Sequence, residues 1–303
     1  MKRLLFIYNA RSGKALIRRY LADIIDTFIK AGYYVEAYQT QSSQDAMEQV
    51  KMRGGEFDLV VCSGGDGTLN ETISGLMTLE NRPVLGYIPA GSTNDFAVTL
   101  GLPKKMLDAA EVAVNGTEQY IDVGEFNGRN FVYVACFGAF ADVSYQTPQD
   151  MKNVLGHSAY IVEAIKSLPS LKNYKVKCEF DGCTIEGEFM YGMVTNSASV
   201  GGIKGITGRD ISLNDGLFEV TLVKPPKNPL ELQAILTDLI SGAGKCENVI
   251  RFKADKLSFT SDEVLEWVLD GEFGGNLKEV NIENRKNAIL FRTKESKKKN
   301  PKK

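Results

Sequence analysis

The sequence predicts an α/β + β fold, with an N-terminal α/β domain built on a parallel sheet and a C-terminal domain of mainly antiparallel β-sandwich type. Three observations support it. Strand-like and helix-like segments alternate in the first third of the chain, whereas hairpin signals separate apolar runs from about residue 119 onward. The length of 303 residues, with 43% hydrophobic and 24% charged residues, is enough for two cores in an ordinary globular protein.

The first third predicts the parallel sheet. Its strand-like runs are Leu4–Tyr8, Val35–Thr40, Leu59–Cys62 and Val84–Ile88. Its helix-like segments lie near Leu16–Ala31, near Ser43–Arg53 and from Leu69 onward. Such βαβα alternation implies a mostly parallel sheet with helices on both faces.

The remaining two thirds predict hairpins. Asn127-Gly128 lies between apolar runs, and Asp181-Gly182 separates Tyr174–Phe180 from Ile185–Val194. Further candidate strands are Phe218–Val223, Leu257–Phe259, Leu265–Leu269 and Val280–Ile282, and the candidate helices are Ser158–Leu168 and Pro229–Ile240.

Composition excludes several classes of function. His157 is the only histidine, so a Ser-His pair or a multi-histidine metal site has almost no ligands to use. The five cysteines form no CxxC pair, which favours reduced buried thiols and a cytoplasmic protein. No run approaches the roughly 20 apolar residues of a spanning helix, and we expect neither export nor membrane insertion.

Charge is unevenly distributed. The net charge is −2, and residues 294–303 hold six Lys and one Glu, or +5, which leaves −2 − 5 = −7 on the rest. An acidic body argues against nucleic acid as the main partner. The basic tail favours a solvated, disordered segment, and each Lys near anionic lipid contributes about 1 kcal/mol of attraction.

The first motif is Ser63-Gly64-Gly65-Asp66-Gly67-Thr68-Leu69-Asn70-Glu71, which follows a strand and opens a helix. Its glycines can take positive φ and bring backbone N–H groups to an anion, and the helix N-terminus adds positive charge. Asp66 beside phosphates suggests Mg²⁺, which prefers oxygen ligands. The alternative is a plain glycine turn with a capping residue.

The second motif, Pro89-Ala90-Gly91-Ser92-Thr93-Asn94-Asp95-Phe96, follows the next strand. Ser92 to Asp95 are all good helix-entry residues, so the alternative here is a helix cap. Loops that follow neighbouring parallel strands meet at the carboxyl edge of the sheet, where open α/β folds bind ligands. The two motifs together favour a nucleotide site.

Four motifs together resemble the soluble bacterial diacylglycerol kinases, which share a catalytic domain with sphingosine and ceramide kinases. They are the two loops above, Asn214-Asp215-Gly216, and Trp267-Val268-Leu269-Asp270-Gly271-Glu272. The resemblance implies an active site in a cleft between the two domains. It divides the chain into an ATP-binding domain, 1–124, joined by 285–293, a lipid-substrate domain, 125–284, and the tail, 294–303.

The resemblance also implies roles for individual residues. Asp66 would act on the Mg²⁺-nucleotide, Asp270 would be the general base, and Glu272 would be its partner. The alternative for these last two is a β-turn with exposed acids. The residues implied to contact ATP are Asn9, Thr40, Gly64, Gly65, Gly67, Thr68, Glu71, Gly91, Ser92 and Thr93.

Two further groups follow from the resemblance. A second, structural Mg²⁺ would lie on Asp215 and the carbonyl of Leu217, with Ser212 near the place of an acid that the family has and this chain lacks. Lys14, Asp95 and Asp122 would form a charge network. Val98 stands where the family usually has an arginine, which leaves the acids of that network with less positive charge.

The implied activity is ATP-dependent, Mg²⁺-dependent phosphorylation of a lipid hydroxyl, with diacylglycerol as the default acceptor. The protein would be cytoplasmic and would contact the inner face of the membrane peripherally to reach its lipid substrate. Alternatives are another acceptor (phosphatidylglycerol, a sphingoid base or NAD) or a nucleotide-binding regulator without catalysis. A homodimer through the second domain is expected by family likeness alone.

Overall fold

The computed structural model describes residues 1–138, 172–204, 207 and 211–294. The predicted helix Ser158–Leu168, His157 and the basic tail after Lys294 lie outside the described residues. The chain divides into two compact units. Unit 1 comprises Met1–Ile121 and Asn287–Lys303, and unit 2 comprises Asp122–Lys286.

Unit 1 is a parallel sheet with helices, as the alternation of segments predicts. Its strands run in the order β2-β1-β3-β4, and all three pairings are parallel. The strands are β1 (Lys2–Tyr8), β2 (Tyr33–Gln39), β3 (Leu59–Gly64) and β4 (Val84–Pro89). The helices are α1 (Ile17–Lys30), α2 (Asp45–Arg53), α3 (Asp66–Met77), α4 (Asp95–Thr99) and α5 (Met106–Asn115).

Helix α1 shows why this unit closes around a core. Ile17, Ile24 and Phe28 recur at helical spacing and are all buried. The ring of Phe28 meets Phe6 of β1 edge-on, with centroids 5.2 Å apart. The helix ends at Lys30, and Gly32 beyond it takes a φ of +89°.

Unit 2 is built mainly of antiparallel strands. Its principal order is β14-β13-β10-β7-β15-β16, and β8 pairs with β15 and β9. The strands are β5 (Thr117–Phe126), β6 (Arg129–Phe131), β7 (Val134–Gly138), β8 (Tyr174–Phe180), β9 (Cys183–Phe189), β10 (Tyr191–Thr195), β11 (Ser199–Val200), β12 (Ile203–Lys204), β13 (Phe218–Val223), β14 (Val249–Ala254), β15 (Lys256–Leu269) and β16 (Glu272–Thr293). Strand β5 carries the chain out of unit 1, and β16 returns it.

Three hairpins of unit 2 turn on two residues with positive φ, which is the signature of a type I′ turn. They are Asn127-Gly128 at +46° and +82°, Asp181-Gly182 at +46° and +74°, and Asp270-Gly271 at +50° and +85°. The first two confirm the predicted hairpins. The third joins β15 to β16, with Leu269 opposite Glu272.

Strands β15 and β16 are longer than the sequence predicts. The candidate strands Leu257–Phe259 and Leu265–Leu269 are parts of β15, whose register shifts between Thr260 and Leu265. Residues 262–264 are exposed and interrupt the alternation of buried and exposed residues. Strand β15 nevertheless pairs with β16 on both sides of this interruption, and with β8 before it. Pairing across the sheet therefore overrides the local pattern.

The core of unit 2 centres on Trp267, which is fully buried. Its ring lies 5.1 Å from Phe126, 4.9 Å from Phe137 and 5.3 Å from Phe259 between centroids. Contacts of this kind between aromatic rings add to the stabilisation that burial provides. This packing fixes the end of β15 from which the Asp270 turn projects.

Helix α6 (Pro229–Ser241) is the one helix of the described part of unit 2. Asn228 caps its start, because Oδ1 accepts from Glu231 N at 2.9 Å, and Gly242 ends it with a φ of +60°. Near its end, the buried carboxylate of Asp238 pairs with Arg251 of β14 at 2.5 Å. No helix in the described ranges combines the length and apolar character needed to cross a bilayer.

The last strand completes unit 1. Phe291 of β16 pairs in parallel with Leu85 of β4. Arg82 Nη1 donates to Ala288 O at 3.0 Å, and the guanidinium of Arg292 donates to Val114 O. The end of β16 therefore belongs to the sheet that begins the chain.

Candidate functional site

In the loop between β3 and α3, glycine is required by the close approach of neighbouring atoms and not by a positive φ. The expectation that Gly64, Gly65 and Gly67 use positive φ is wrong, since none of them lies in that region. A Cβ on Gly64 would lie 2.4 Å from Thr68, too close for any other residue. Gly64 is needed because the backbone there folds tightly over Thr68 in the first turn of α3.

The second loop lies directly against the first. A Cβ on Gly91 would come within 2.6 Å of Gly65 Cα. Ala90 N donates to Gly64 O at 2.8 Å, and the hydroxyl of Tyr87 donates to the same oxygen at 3.0 Å. Burial raises the pKa of Tyr87 well above its usual value, so this hydroxyl keeps its proton. The predicted convergence of the two loops is confirmed.

Asp66 joins the first loop to helix α4. Its Oδ2 accepts from Asp95 N at 3.2 Å and its Oδ1 from Phe96 N at 3.4 Å. The carboxylate therefore caps α4 from a different loop. Asn94, the residue at the cap position, instead accepts from Gly91 N at 2.9 Å and closes the second loop on itself.

A third loop, between β1 and α1, reaches the same edge of the sheet. Asn9 N donates to Ser63 O at 2.8 Å, and Thr40 N at the end of β2 donates to Tyr8 O at 3.0 Å. Sequence reasoning missed two residues here. Ser12 Oγ accepts from Gly65 N at 3.1 Å, and a Cβ on Gly13 would lie 2.3 Å from Ala90 O. The only signal was a Ser-Gly pair, which is common in turns.

The other residues predicted for this unit have varied surroundings. Ser92, Thr93 and Lys14 are exposed, and Asp95 is 2% exposed. Glu71 holds the start of α2, because its carboxylate accepts from Gln44 N at 2.7 Å and from Ala46 N at 3.3 Å. The roles assigned to these residues stay predictions.

Asp270 is buried and held by three backbone donors. Its side chain accepts from Val132 N at 2.6 Å, from Tyr133 N at 2.9 Å and from Val134 N at 3.0 Å, and the residue is 7% exposed. Asp270 N also donates to Val134 O at 2.9 Å. The turn alternative is correct about the backbone, but the acid is not an exposed one. Three N–H donors fix a charged carboxylate in position.

Glu272 differs from Asp270 in its surroundings. It begins β16 opposite Leu269, and its side chain is exposed. The two acids flank Gly271, and only the first is built into the fold by hydrogen bonds to the segment 132–134.

Asp122 fixes the loop that contains the third motif. Its Oδ2 accepts from Gly216 N at 2.7 Å, and its N donates to Leu213 O at 2.7 Å. Asp122 O in turn accepts from Nδ2 of Asn196 at 3.1 Å. Asn196, which is fully buried, was not identified from the sequence, because Asn followed by Ser in a strand-loop region has no specific signal.

A lysine occupies the surroundings of the predicted second Mg²⁺ site. Asp215 Oδ1 accepts from Leu217 N at 3.1 Å, while its Oδ2 lies 3.4 Å from Nζ of Lys253. The same ammonium lies 2.9 Å from Glu219, which is 6% exposed. Burial raises the pKa of Glu219. For Lys253, burial acts to lower the pKa, but the hydrogen bond to Glu219 outweighs burial, and the net effect is a raised pKa.

The residues of the predicted metal site are engaged with protein partners. The Lys253 ammonium is shared between Asp215 at 3.4 Å and Glu219 at 2.9 Å, and Ser212 Oγ donates to Asn214 Oδ1 at 3.2 Å. Among the residues that the structure describes, no group of three or more His, Cys, Asp or Glu side chains gathers around a metal position. The metal roles of Asp215, Leu217 and Ser212 stay predictions.

The buried thiols offer no covalent route. Burial raises the pKa of Cys62 and of Cys136 to about 12, so both are protonated at neutral pH. In unit 1, three loops adjoin beside the N-terminus of α3, and in unit 2 three backbone donors fix the Asp270 carboxylate. Phosphoryl transfer needs positioning and charge neutralisation more than covalent help.

Comparison with known proteins gives consistent results over the whole chain. A family model described as diacylglycerol kinase catalytic domain matches residues 3–126, and one described as YegS C-terminal NAD kinase beta sandwich-like domain matches residues 134–288. The chain is 39% identical to a diacylglycerol kinase of Bacillus subtilis (strain 168) over 280 residues, covering 91% of this chain and 92% of that one.

Two further similarities agree. A diacylglycerol kinase of Staphylococcus aureus (strain JH9) is 36% identical over 278 residues, covering 91% of this chain and 88% of that one. A crystal structure from Bacillus anthracis str. Sterne, described as a candidate diacylglycerol kinase, superposes with a TM-score of 0.82 at 26% identity. That similarity covers 97% of this chain and 96% of the other.

Proposed function

This chain belongs to the diacylglycerol kinase family and is a lipid kinase, and from that premise we propose that it transfers the γ-phosphate of ATP to the free hydroxyl of diacylglycerol, giving phosphatidic acid. The observation that carries the proposal is the contact between the two glycine loops. A Cβ on Gly91 would come within 2.6 Å of Gly65 Cα, so only glycine backbone forms this contact, which suits a close approach of phosphate oxygens to the loops.

Unit 1 binds the nucleotide in this proposal. The N–H groups of the first turn of α3 donate to the phosphate oxygens in this proposal. Gly65 N and Gly91 N donate to Ser12 Oγ at 3.1 Å and to Asn94 Oδ1 at 2.9 Å, and these bonds hold the two loops in position. Asp66 lies among these loops and would hold Mg²⁺, which neutralises charge on the transferring group when bound. Its hydrogen bonds to Asp95 N and Phe96 N fix the carboxylate for that purpose.

Asp270 of unit 2 acts as the general base. As the hydroxyl oxygen of the acceptor bonds to the γ-phosphorus, the bond to the ADP oxygen breaks and the hydroxyl proton passes to the Asp270 carboxylate. The three N–H donors favour the charged carboxylate and so weaken it as a base. A weak base is sufficient, because the transition state is loose and positioning supplies most of the acceleration.

Two observations on the relatives of this chain indicate different acceptors. The names of the relatives favour diacylglycerol, whereas the model matched by residues 134–288 is described as similar to the NAD kinase sandwich. Phosphatidylglycerol, a sphingoid base and NAD are therefore the other acceptors to test. Because diacylglycerol resides in bilayers, the proposal includes peripheral contact with the inner face of the membrane, and the family likeness adds a homodimer.

The test is phosphate transfer from γ-labelled ATP with Mg²⁺ to diacylglycerol, phosphatidylglycerol and sphingosine in mixed micelles, and to NAD in solution. Wild type, Asp270→Asn and Asp181→Asn are compared. Asp181 is a matched control, because it is an exposed Asp in the same type of Asp-Gly turn on another hairpin. The proposal is supported if label appears in phosphatidic acid with wild type and Asp181→Asn but not with Asp270→Asn. Label in NADP or in another lipid would instead identify a different acceptor.

A further inference from the structure

Asn196 connects two predicted site residues of unit 2. It follows β10 and is fully buried. Its backbone N donates to Tyr133 O at 3.1 Å, and Tyr133 N donates to Asp270 Oδ1 at 2.9 Å. Through its backbone, Asn196 therefore holds the segment that binds the Asp270 carboxylate.

The side chain of Asn196 holds a different segment. Nδ2 donates to Asp122 O at 3.1 Å, and Asp122 binds Gly216 of the third motif and Leu213, which precedes that motif, at 2.7 Å each. Gly216 takes a φ of +84°, a conformation that glycine adopts readily. One residue thus joins the Asp270 segment to the loop that precedes β13.

The buried amide of Asn196 has a cost that an apolar packing side chain would not have. Oδ1 has no hydrogen-bond partner among the described residues, although the residue is 0% exposed. Leaving a buried polar atom unsatisfied is unfavourable by roughly 1–3 kcal/mol. An apolar side chain of similar size would avoid that penalty, so retaining Asn here requires a benefit from its donors.

We propose that Asn196 is a positioning residue for the phosphoryl transfer, which couples the Asp270 carboxylate to the Asp122 loop. The proposal rests on the proposed function, in which Asp270 receives the proton. Removing Nδ2 breaks the bond from Asn196 to Asp122 O, so residue 196, and with it the Tyr133 segment bonded to its backbone, is no longer fixed to the Asp122 loop. The carboxylate of Asp270 then loses alignment with the acceptor hydroxyl, and a shift of about 1 Å lowers rates by as much as 100-fold.

The experiment compares Asn196→Ala with Thr221→Val. Thr221 of β13 is a matched control, because it is fully buried, its hydroxyl has no partner among the described residues, and valine keeps its shape. We expect kcat of Asn196→Ala to fall by roughly 10- to 100-fold with KM for ATP within about twofold, and Thr221→Val to match wild type. A general loss of packing would not separate kcat from KM in this way.

Amide hydrogen exchange supplies a second readout that needs no activity. In Asn196→Ala, exchange should accelerate about tenfold at Gly216, whose donor bond goes to Asp122, and at the amides of 132–134 that bind Asp270. Unchanged exchange at both places, or a wild-type kcat, overturns the coupling. If wild type transfers no phosphate to any acceptor, the proposed function fails, and the exchange data still decide whether Asn196 couples the two segments.

A second variant covers the case in which alanine does not fold. Asn196→Asp keeps the size of the side chain and replaces the Nδ2 donor with an oxygen that faces Asp122 O. We expect a loss of kcat at least as large as for alanine, with the same change in exchange. Wild-type kinetics in a folded Asn196→Asp protein would overturn the proposal.

Discussion

Asp270→Asn changes both stability and catalysis, and the structure separates the two effects. An amide can still accept from Tyr133 N and Val134 N through Oδ1, as weaker neutral bonds. Its NH₂ group then faces Val132 N, which donates to the carboxylate at 2.6 Å. Losing one charge-assisted bond and weakening two others should lower the free energy of unfolding by about 2–3 kcal/mol.

That loss is too small to abolish activity through unfolding. If the wild type has the low end of ordinary stability, about 5 kcal/mol, the variant keeps about 2 kcal/mol and remains roughly 97% folded. Removal of a general base, in contrast, lowers kcat by roughly 100- to 10,000-fold. A fall of that size in a folded protein therefore reports on chemistry.

The assay combines urea unfolding with initial rates of ATP-dependent lipid phosphorylation for the same preparation. Asp181→Asn controls for the turn, because its exposed side chain leaves the Asp-Gly geometry intact and Asn is equally suited to that turn. Two results would refute the reasoning. A kcat within threefold of wild type removes Asp270 as the base, and unchanged stability shows that the three backbone bonds do not hold the carboxylate.

Three further predictions follow from contacts described above. Gly64→Ala places a Cβ 2.4 Å from Thr68, so we expect ATP to lose its stabilising shift of Tm, and a normal shift in calorimetry would contradict this. Arg251→Met removes the ion-pair partner of the buried Asp238, which keeps the bonds from Lys245 N and Cys246 N, and should lower the free energy of unfolding by about 3 kcal/mol at pH 7. Burial raises the pKa of Asp238, but its hydrogen bonds outweigh burial and the pKa in the folded protein is lowered. The ion pair therefore stabilises the fold above about pH 4, and the difference in free energy of unfolding between variant and wild type should shrink as acid protonates the carboxylate. An equal difference at pH 3 and pH 7 in urea titrations would argue against the pair. Glu71→Gln should lower the free energy of unfolding by about 1 kcal/mol, because it weakens the cap of α2. A purely structural side chain leaves KM for ATP unchanged, whereas a raised KM would place Glu71 at the nucleotide.

Local signals with a backbone mechanism predicted the structure well. Asn127-Gly128 and Asp181-Gly182 were identified as hairpin turns because their residue types accept positive φ, and both adopt it. The alternation of the first third predicted the parallel sheet, and the two glycine motifs predicted loops that meet. These features depend on residues close together in sequence.

Features that depend on distant residues could not be predicted. The sequence gives no indication that Asp66 caps α4, that three N–H groups hold Asp270, or that Lys253 pairs with Asp215 and Glu219. Each contact joins segments separated by 29 to 138 residues, and it is decided by tertiary packing. Asn196 was missed for the same reason, because its partners lie at 122 and 133.

The pairing of Phe291 with Leu85 has a consequence for synthesis. A ribosome makes the first 121 residues of unit 1 early, but the strand that covers the edge of β4 emerges only after all of unit 2 has been translated. Until then, Leu85 pairs with β3 on one side only, and the guanidinium of Arg82 lacks its bond to Ala288 O. Unit 1 is thus the first to begin folding and the last to be completed, and nascent chains stalled before residue 287 would expose an unpaired strand edge to chaperones or proteases.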